Sequence, residues 1–285
     1  MSSTTGDLRT DELTGATTYV VDSRQDRPNL PSVGCPFCPG GLEAPEDYDV
    51  RWFANRWPAM PNERCEVVLY TSDHDATFWS LGVEGARKVV DLWAERTASL
   101  GARPDIAYVL VFENRGAEVG ATIAHPHGQI YAFDFVPTLP LAELVRGSRL
   151  DEQPGSRLVA EAPGWRAWVP EAPIFPYVLR LAPDAHVPDL PSLDDNGRNA
   201  LATLLVDVLE RLDRLFDAET PYMLWIHQRP FDGSDWPEAR LHVEIVTPWR
   251  AQRVLRYVAA GELGSGMYFN PVAPDAAAQS LREAL

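Results

Sequence analysis

The spacing of apolar residues divides the chain into helices, strands and turn-rich connections. Over 83–100 the apolar positions recur at helical spacing and cluster Val89, Val90, Leu92 and Trp93 for burial. A longer amphipathic helix is predicted over 194–216, where Leu201, Leu204, Leu205, Val208, Leu209 and Leu212 form one stripe. A closing helix is predicted over 275–285, after Pro274. Short runs at 17–22, 65–71, 107–113, 125–133, 177–181, 222–227 and 240–247 read as strands. Segment 30–45 is rich in proline, glycine and cysteine, and reads as a loop held by something other than a core.

The order of elements repeats. The first half runs strand, Ser72-Asp73-His74, helix, strand, then His125-Pro126-His127. The second runs strand, Asp184-Ala185-His186, helix, strand, then Leu241-His242-Val243-Glu244. The separation of His74 from His127 is about that of His186 from His242. Such self-similarity predicts two copies of one unit, and the element order fits an α+β fold with antiparallel sheets that join or pack, helices on one side. The expected organisation is a disordered tail over 1–8, one half over 9–140 and a second over 141–285. The two halves form one composite unit.

Composition narrows the function. A chain of 285 residues that is 45% hydrophobic has ample length for a core. A net charge of −16 argues against nucleic acid or an anionic membrane as partner. No run of 18 apolar residues suggests a membrane span, and residues 1–12 lack the apolar stretch of a signal peptide, so a cytoplasmic location is expected. Three cysteines are too few for a disulfide framework.

The chemistry concentrates in Ala124-His125-Pro126-His127-Gly128-Gln129-Ile130. In an extended strand His125, His127 and Gln129 share a face, a poor way to build a core and a good way to line a site. A neutral imidazole is nucleophilic near neutral pH, and a phosphohistidine is labile enough to pass its group on. The plainer reading is two buried structural histidines. Cys35-Pro36-Phe37-Cys38 is a Cys-x-x-Cys knuckle that suits one metal ion or, less well in this proline- and glycine-rich setting, a redox pair.

The His-Pro-His-Gly-Gln run resembles the active-site motif of the galactose-1-phosphate uridylyltransferases, the transferase branch of the histidine-triad superfamily. The resemblance extends from about Arg9 to the end, and implies that each half is histidine-triad-like. It implies that His127 is the nucleophile, and that Gln129, standing where the hydrolase branch carries a third histidine, donates its amide to a phosphoryl oxygen. Arg24 and Arg27 match an arginine pair suited to phosphates, although a solvated pair of charges would read the same way. Asn55 matches a nucleotide-binding asparagine, while Arg56 stands where an aspartate is common. Asn114 is expected at the α-phosphate, Thr122 at the phosphoryl group through its hydroxyl, and Glu262 at the hexose hydroxyls.

The resemblance also implies zinc on Cys35, Cys38, His74 and His125. A second ion, iron or zinc, is implied on Glu143, His227, His242 and Glu244, the last replacing a histidine of the family; a polar network is the alternative. The implied activity is exchange of UMP between UDP-glucose and a hexose 1-phosphate, galactose 1-phosphate foremost, by a ping-pong mechanism through uridylyl-His127. The implied assembly is a homodimer. Three other readings stay open at this point: an adenylyltransferase acting on ADP-glucose and phosphate, a nucleotide-sugar hydrolase, and a non-catalytic nucleotide-binding protein.

Overall fold

A computed structural model describes residues 6–22, 34–147, 150 and 153–285. Its first half contains β1 (Asp7–Thr10), β2 (Thr17–Val20), β3 (Arg51–Ala54), β4 (Cys65–Leu69), α1 (Gly82–Gly101), β5 (Tyr108–Arg115), β6 (His127–Phe133) and α2 (Thr138–Arg146). Its second contains β7 (Leu158–Ala162), β8 (Trp165–Trp168), β9 (Tyr177–Pro183), α3 (Asp195–Phe216), β10 (Tyr222–His227) and β11 (His242–Thr247). The chain closes with β12 (Trp249–Ala251), β13 (Val254–Leu255), α4 (Ala260–Ser265) and α5 (Pro274–Glu283).

Nine strands form one antiparallel sheet in the order β3-β4-β6-β5-β10-β11-β9-β8-β7. Outward from its centre the sheet reads β5, β6, β4, β3 on one side and β10, β11, β9, β8 on the other, the same order in each half. The halves meet where β5 and β10 pair, from Tyr222 opposite Arg115 to Ile226 opposite Val111. The sequence repeat is therefore a repeat of structure, and the two sheets expected from it are one continuous sheet.

Alternation along each strand divides the sheet into two faces. On β6, Gly128, Ile130 and Ala132 are buried, whereas His127, Gln129 and Tyr131 on the opposite face are less so. The buried face carries the helices: Val89, Val90 and Trp93 of α1, the leucine stripe of α3 and Ala277, Ala278 and Leu281 of α5 join Val109, Val111, Ile130, Leu224 and Ile245 in one core. Asp194 caps α3 by accepting from the Gly197 amide at 2.7 Å. Arg96 of α1 forks onto Glu66 of β4 at 3.0 and 2.7 Å, tying the helix to the outer strands through a buried, two-bond ion pair.

Several boundaries differ from the sequence expectation. Asp7–Thr10 pairs with Thr17–Val20, so residues 7 and 8 belong to a hairpin rather than to the tail. The strand expected from residue 125 begins at His127, because Pro126 has no N–H for the ladder and the backbone bends at His125. The strands β3, β7 and β8 and the helices α2 and α4 carry no strong periodicity and are findings of the structure. Pro140 is tolerated in α2 because it lies in the first turn, where its missing N–H has no helical acceptor.

Candidate active site and metal clusters

The open face of the first half is built around the knuckle. Phe37, Ala44, Val67 and Leu69 form a small second core, with Cys35, Tyr48, Phe53 and Ile123 packed against it. The turn after the knuckle requires glycine. A Cβ on Gly41 would lie 2.7 Å from the carbonyl oxygens of Cys35, Pro36 and Cys38, all three converging on its Cα. These contacts place four donors together: Cys35 and Cys38 Sγ and a ring nitrogen each from His74 and His125 lie within 4.8 Å of one another. Cys38 Sγ is 3.5 Å from His74 Nδ1 and 3.6 Å from His125 Nδ1.

The far side of His125 fixes its tautomer. Its Nε2 is 2.7 Å from the Thr71 carbonyl oxygen, so Nε2 carries the proton and Nδ1 presents its lone pair to the thiols. Tyr48 Oη lies 2.8 Å from the same nitrogen and donates to the Phe37 carbonyl at 2.7 Å. Burial pushes the Tyr48 hydroxyl up, and the two cysteines add to the rise. Two sulfurs and two imidazoles, that of His125 oriented by its bond to Thr71, form a donor set that fits a tetrahedral metal ion. Position 125 thus serves the cluster, and the shared face expected for 125, 127 and 129 is kept only by His127 and Gln129.

His127 opens β6 and lines a cavity of about 880 Å³ with the knuckle, Phe53, Asn55, Thr122 and Gln129. Its Nδ1 donates to the His125 carbonyl at 2.8 Å, which leaves Nε2 as the nitrogen with the lone pair. The Phe37 ring packs edge-on against the imidazole with centroids 5.1 Å apart. His127 is therefore held by the backbone at His125 and by the ring of Phe37 from the knuckle. Asn55 Nδ2 donates to Gln129 Oε1 at 3.4 Å, a long bond that turns the Gln129 amide nitrogen away from Asn55. Asn55 Oδ1 accepts from the Trp57 amide at 2.8 Å and shapes the turn that brings Arg56 and Trp57 to the cavity wall.

The other expected residues fall into three groups. Asn114 lies two residues beyond Phe112, the partner of Gln129 across β5 and β6, on the same open face. Arg24 and Arg27 lie outside the described residues. Glu262 does not line the cavity: it is buried in α4, paired with Arg256, and accepts from the amides of Ala259 at 2.8 Å and Phe269 at 2.9 Å. Those bonds hold its carboxyl below the usual range and tie it to the C-terminal segment. His186 is exposed and joins neither cluster.

In the second half, α2 covers the open face. Glu143 of α2, His227 of β10 and His242 of β11 bring one donor atom each within 4.8 Å of the others. His227 Nδ1 is 2.8 Å from Glu143 Oε2, and His242 Nε2 is 3.6 Å from the same oxygen. His242 Nδ1 donates to the Arg240 carbonyl at 3.0 Å, the same bond to the residue two positions back that His127 makes. Burial pushes the His242 imidazole down to about 4, with His227 adding to the shift. Glu244, the expected fourth ligand, stands outside this group with its carboxylate paired to Arg180. Among the described residues the structure thus brings three of the four expected donors together.

Two family descriptions match the chain. The galactose-1-phosphate uridyl transferase N-terminal domain covers residues 55–137 and the C-terminal domain residues 122–265. The galactose-1-phosphate uridylyltransferase of Thermotoga maritima is 35% identical over 97% of this chain and 98% of its own. That of Streptomyces lividans is 37% identical over 98% of this chain and 87% of its own. A solved uridylyltransferase structure superposes with a TM-score of 0.88 at 28% identity, covering 97% of this chain and 98% of that one. The chain belongs to the galactose-1-phosphate uridylyltransferase family.

Proposed function

We propose that this enzyme exchanges UMP between UDP-glucose and a hexose 1-phosphate, galactose 1-phosphate foremost, through a covalent uridylyl-His127. The observation that carries the reading is the state of His127: in the cavity wall, braced by Phe37, with Nδ1–H held by the His125 carbonyl. In the first half-reaction the Nε2 lone pair attacks the α-phosphorus of UDP-glucose. The bond from phosphorus to the bridging oxygen breaks, and glucose 1-phosphate leaves with that electron pair. The His125 carbonyl stabilises the positive charge that develops on the ring. In the second half-reaction a phosphate oxygen of the hexose 1-phosphate attacks, the P–N bond breaks, and His127 recovers its lone pair. Two in-line displacements retain configuration at phosphorus.

The leaving group in each step is a phosphate of low pKa, so positioning and charge stabilisation outweigh proton transfer. Gln129, its oxygen engaged by Asn55, turns its amide N–H to a non-bridging phosphoryl oxygen. Thr122, in the cavity wall, and Asn114, on the open face of β5, are assigned to assist, and Arg24 and Arg27 are assigned to the phosphates on sequence grounds. A neutral amide at position 129 supplies no base to activate water, which favours transfer over hydrolysis.

Cys35, Cys38, His74 and His125 would hold zinc, an ion without redox chemistry that supplies rigidity to the knuckle. His125→Ala removes one donor and the bond to Thr71. Elemental analysis is expected to show the bound metal lost, with stability lower by several kcal/mol. Full metal content in that variant would remove His125 from the ligand set.

The activity is tested by supplying UDP-glucose with galactose 1-phosphate, and ADP-glucose with phosphate in parallel. UDP-galactose and glucose 1-phosphate are the expected products. Turnover confined to ADP-glucose would replace the reading with an adenylyl transfer, and would trace the base preference to the cavity wall where Arg56 stands. Turnover of neither pair would contradict both.

A further inference from the structure

We infer that Arg180 takes the place of a second metal ion in the cluster beneath α2, so that each chain binds one metal ion rather than two. Arg180 and Glu244 are direct cross-strand neighbours on β9 and β11, on the open face that carries His242. Their side chains form an ion pair in which the Glu244 carboxylate is 8% exposed. Glutamate at position 244 suits this arrangement. A neutral histidine there would leave the guanidinium without a partner, whereas a carboxylate satisfies it.

Among the described residues the remaining donors are too few for an ion. Glu143, His227 and His242 supply three, and a four-coordinate ion needs one more. Glu244 is held by Arg180. Water is the other source, but the cavity bounded by Tyr108, Pro140, Glu143, Leu144, His227 and His242 measures about 10 Å³. That is at the lower limit for a single water molecule and leaves no room for an ion and a water together.

A dication is not needed to balance the carboxylates. The hydrogen bond from His227 to Glu143 and the ion pair from Arg180 to Glu244 satisfy the carboxylates without it. The cluster then works as a latch: Glu143 fastens α2 to β10, and Arg180 fastens β9 to β11.

Metal stoichiometry tests this directly. The chain is produced in medium supplemented with zinc and iron, dialysed against a chelator, and assayed by elemental analysis. Cobalt substitution separates thiolate-bound metal, through its sulfur-to-cobalt absorption, from metal bound by histidine and carboxylate. Wild type is expected to hold one ion, all of it thiolate-bound. Arg180→Met releases Glu244 and is expected to hold two, the second without sulfur absorption. The double variant Arg180→Met/Glu244→His, which removes the guanidinium and restores the family's histidine, is a second variant with the same expected gain. A non-thiolate ion retained by wild type overturns the inference, whether or not the variants fold. Folded variants that stay at one ion overturn the role of Arg180.

Discussion

His127→Ala is expected to fold as wild type and to lose turnover by a factor on the order of 10⁴ or more. The two effects separate because His127 lies on the open face of β6, outside the main core, and lines the cavity. Its truncation removes contact with Phe37 and one bond to the His125 carbonyl, a loss of about 1 kcal/mol. The same truncation removes the nucleophile from both half-reactions, since uridylyl attaches to its Nε2 and departs from it. Both partial exchanges are therefore expected to vanish together: glucose 1-phosphate with UDP-glucose, and galactose 1-phosphate with UDP-galactose. Isotope exchange at equilibrium, alongside thermal melting, checks this. Survival of either exchange in a folded variant would move the covalent step to another residue.

Gly128→Ala is the second large effect, and it arises from the buried side of the same strand. A Cβ at position 128 would meet Tyr70 Oη at 2.1 Å and the Phe112 carbonyl oxygen at 3.1 Å. Tyr70 has little room to yield. Its ring packs edge-on against Phe78 and Trp93, and it is 2% exposed. Behind it Glu113 accepts from Tyr222 Oη at 2.6 Å, and burial pushes the Glu113 carboxyl up to about 7. The clash must then be relieved by lifting β6 off the helical core, which displaces His127 and Gln129 on either side. Overpacking of this kind costs about 1–3 kcal/mol of stability. A displacement of about 1 Å at the reacting centre costs roughly 100-fold in rate. Tyr70→Phe added to Gly128→Ala removes the atom that clashes, and is expected to restore part of both losses. Urea denaturation and steady-state kinetics on the single and double variants measure the coupling.

The elements with strong patterns were legible from the chain. The stripe of α3 and the cluster of α1 carry helical periodicity, and β10 lies at the residues its apolar run marks, 222–227. The repeat was legible too, because equal spacing of histidines reflects equal topology in the two halves. What escaped was short or locally ambiguous. The outer strands β7 and β8 are joined through Gly164 at positive φ and have few residues in which to show alternation. Helix α2 exposes Leu139, Leu141 and Val145, so its apolar residues do not trace one buried stripe.

The site shows the same division. The grouping of Cys35, Cys38, His74 and His125 was suggested by motif and resemblance, and the structure brings their donor atoms together. The surroundings of Glu262 were hidden, because position along the chain does not reveal that Arg256 and two amides bind its carboxylate. The pairing of Glu244 was hidden for a related reason: its partner Arg180 is 64 residues away in sequence and adjacent only across the sheet. Phe37 was visible only as filler between two cysteines. Its contact with the His127 ring, which couples the knuckle to the nucleophile, exists only in three dimensions.

The central claim is the covalent bond to His127, and intact-mass measurement after incubation with UDP-glucose alone tests it most directly. Peptide mapping then locates the modification. The account predicts the gain of one uridylyl group per chain, carried on His127 and discharged by galactose 1-phosphate as UDP-galactose. An enzyme that turns over its substrates with no adduct at any time, or with the adduct on another residue, would contradict it.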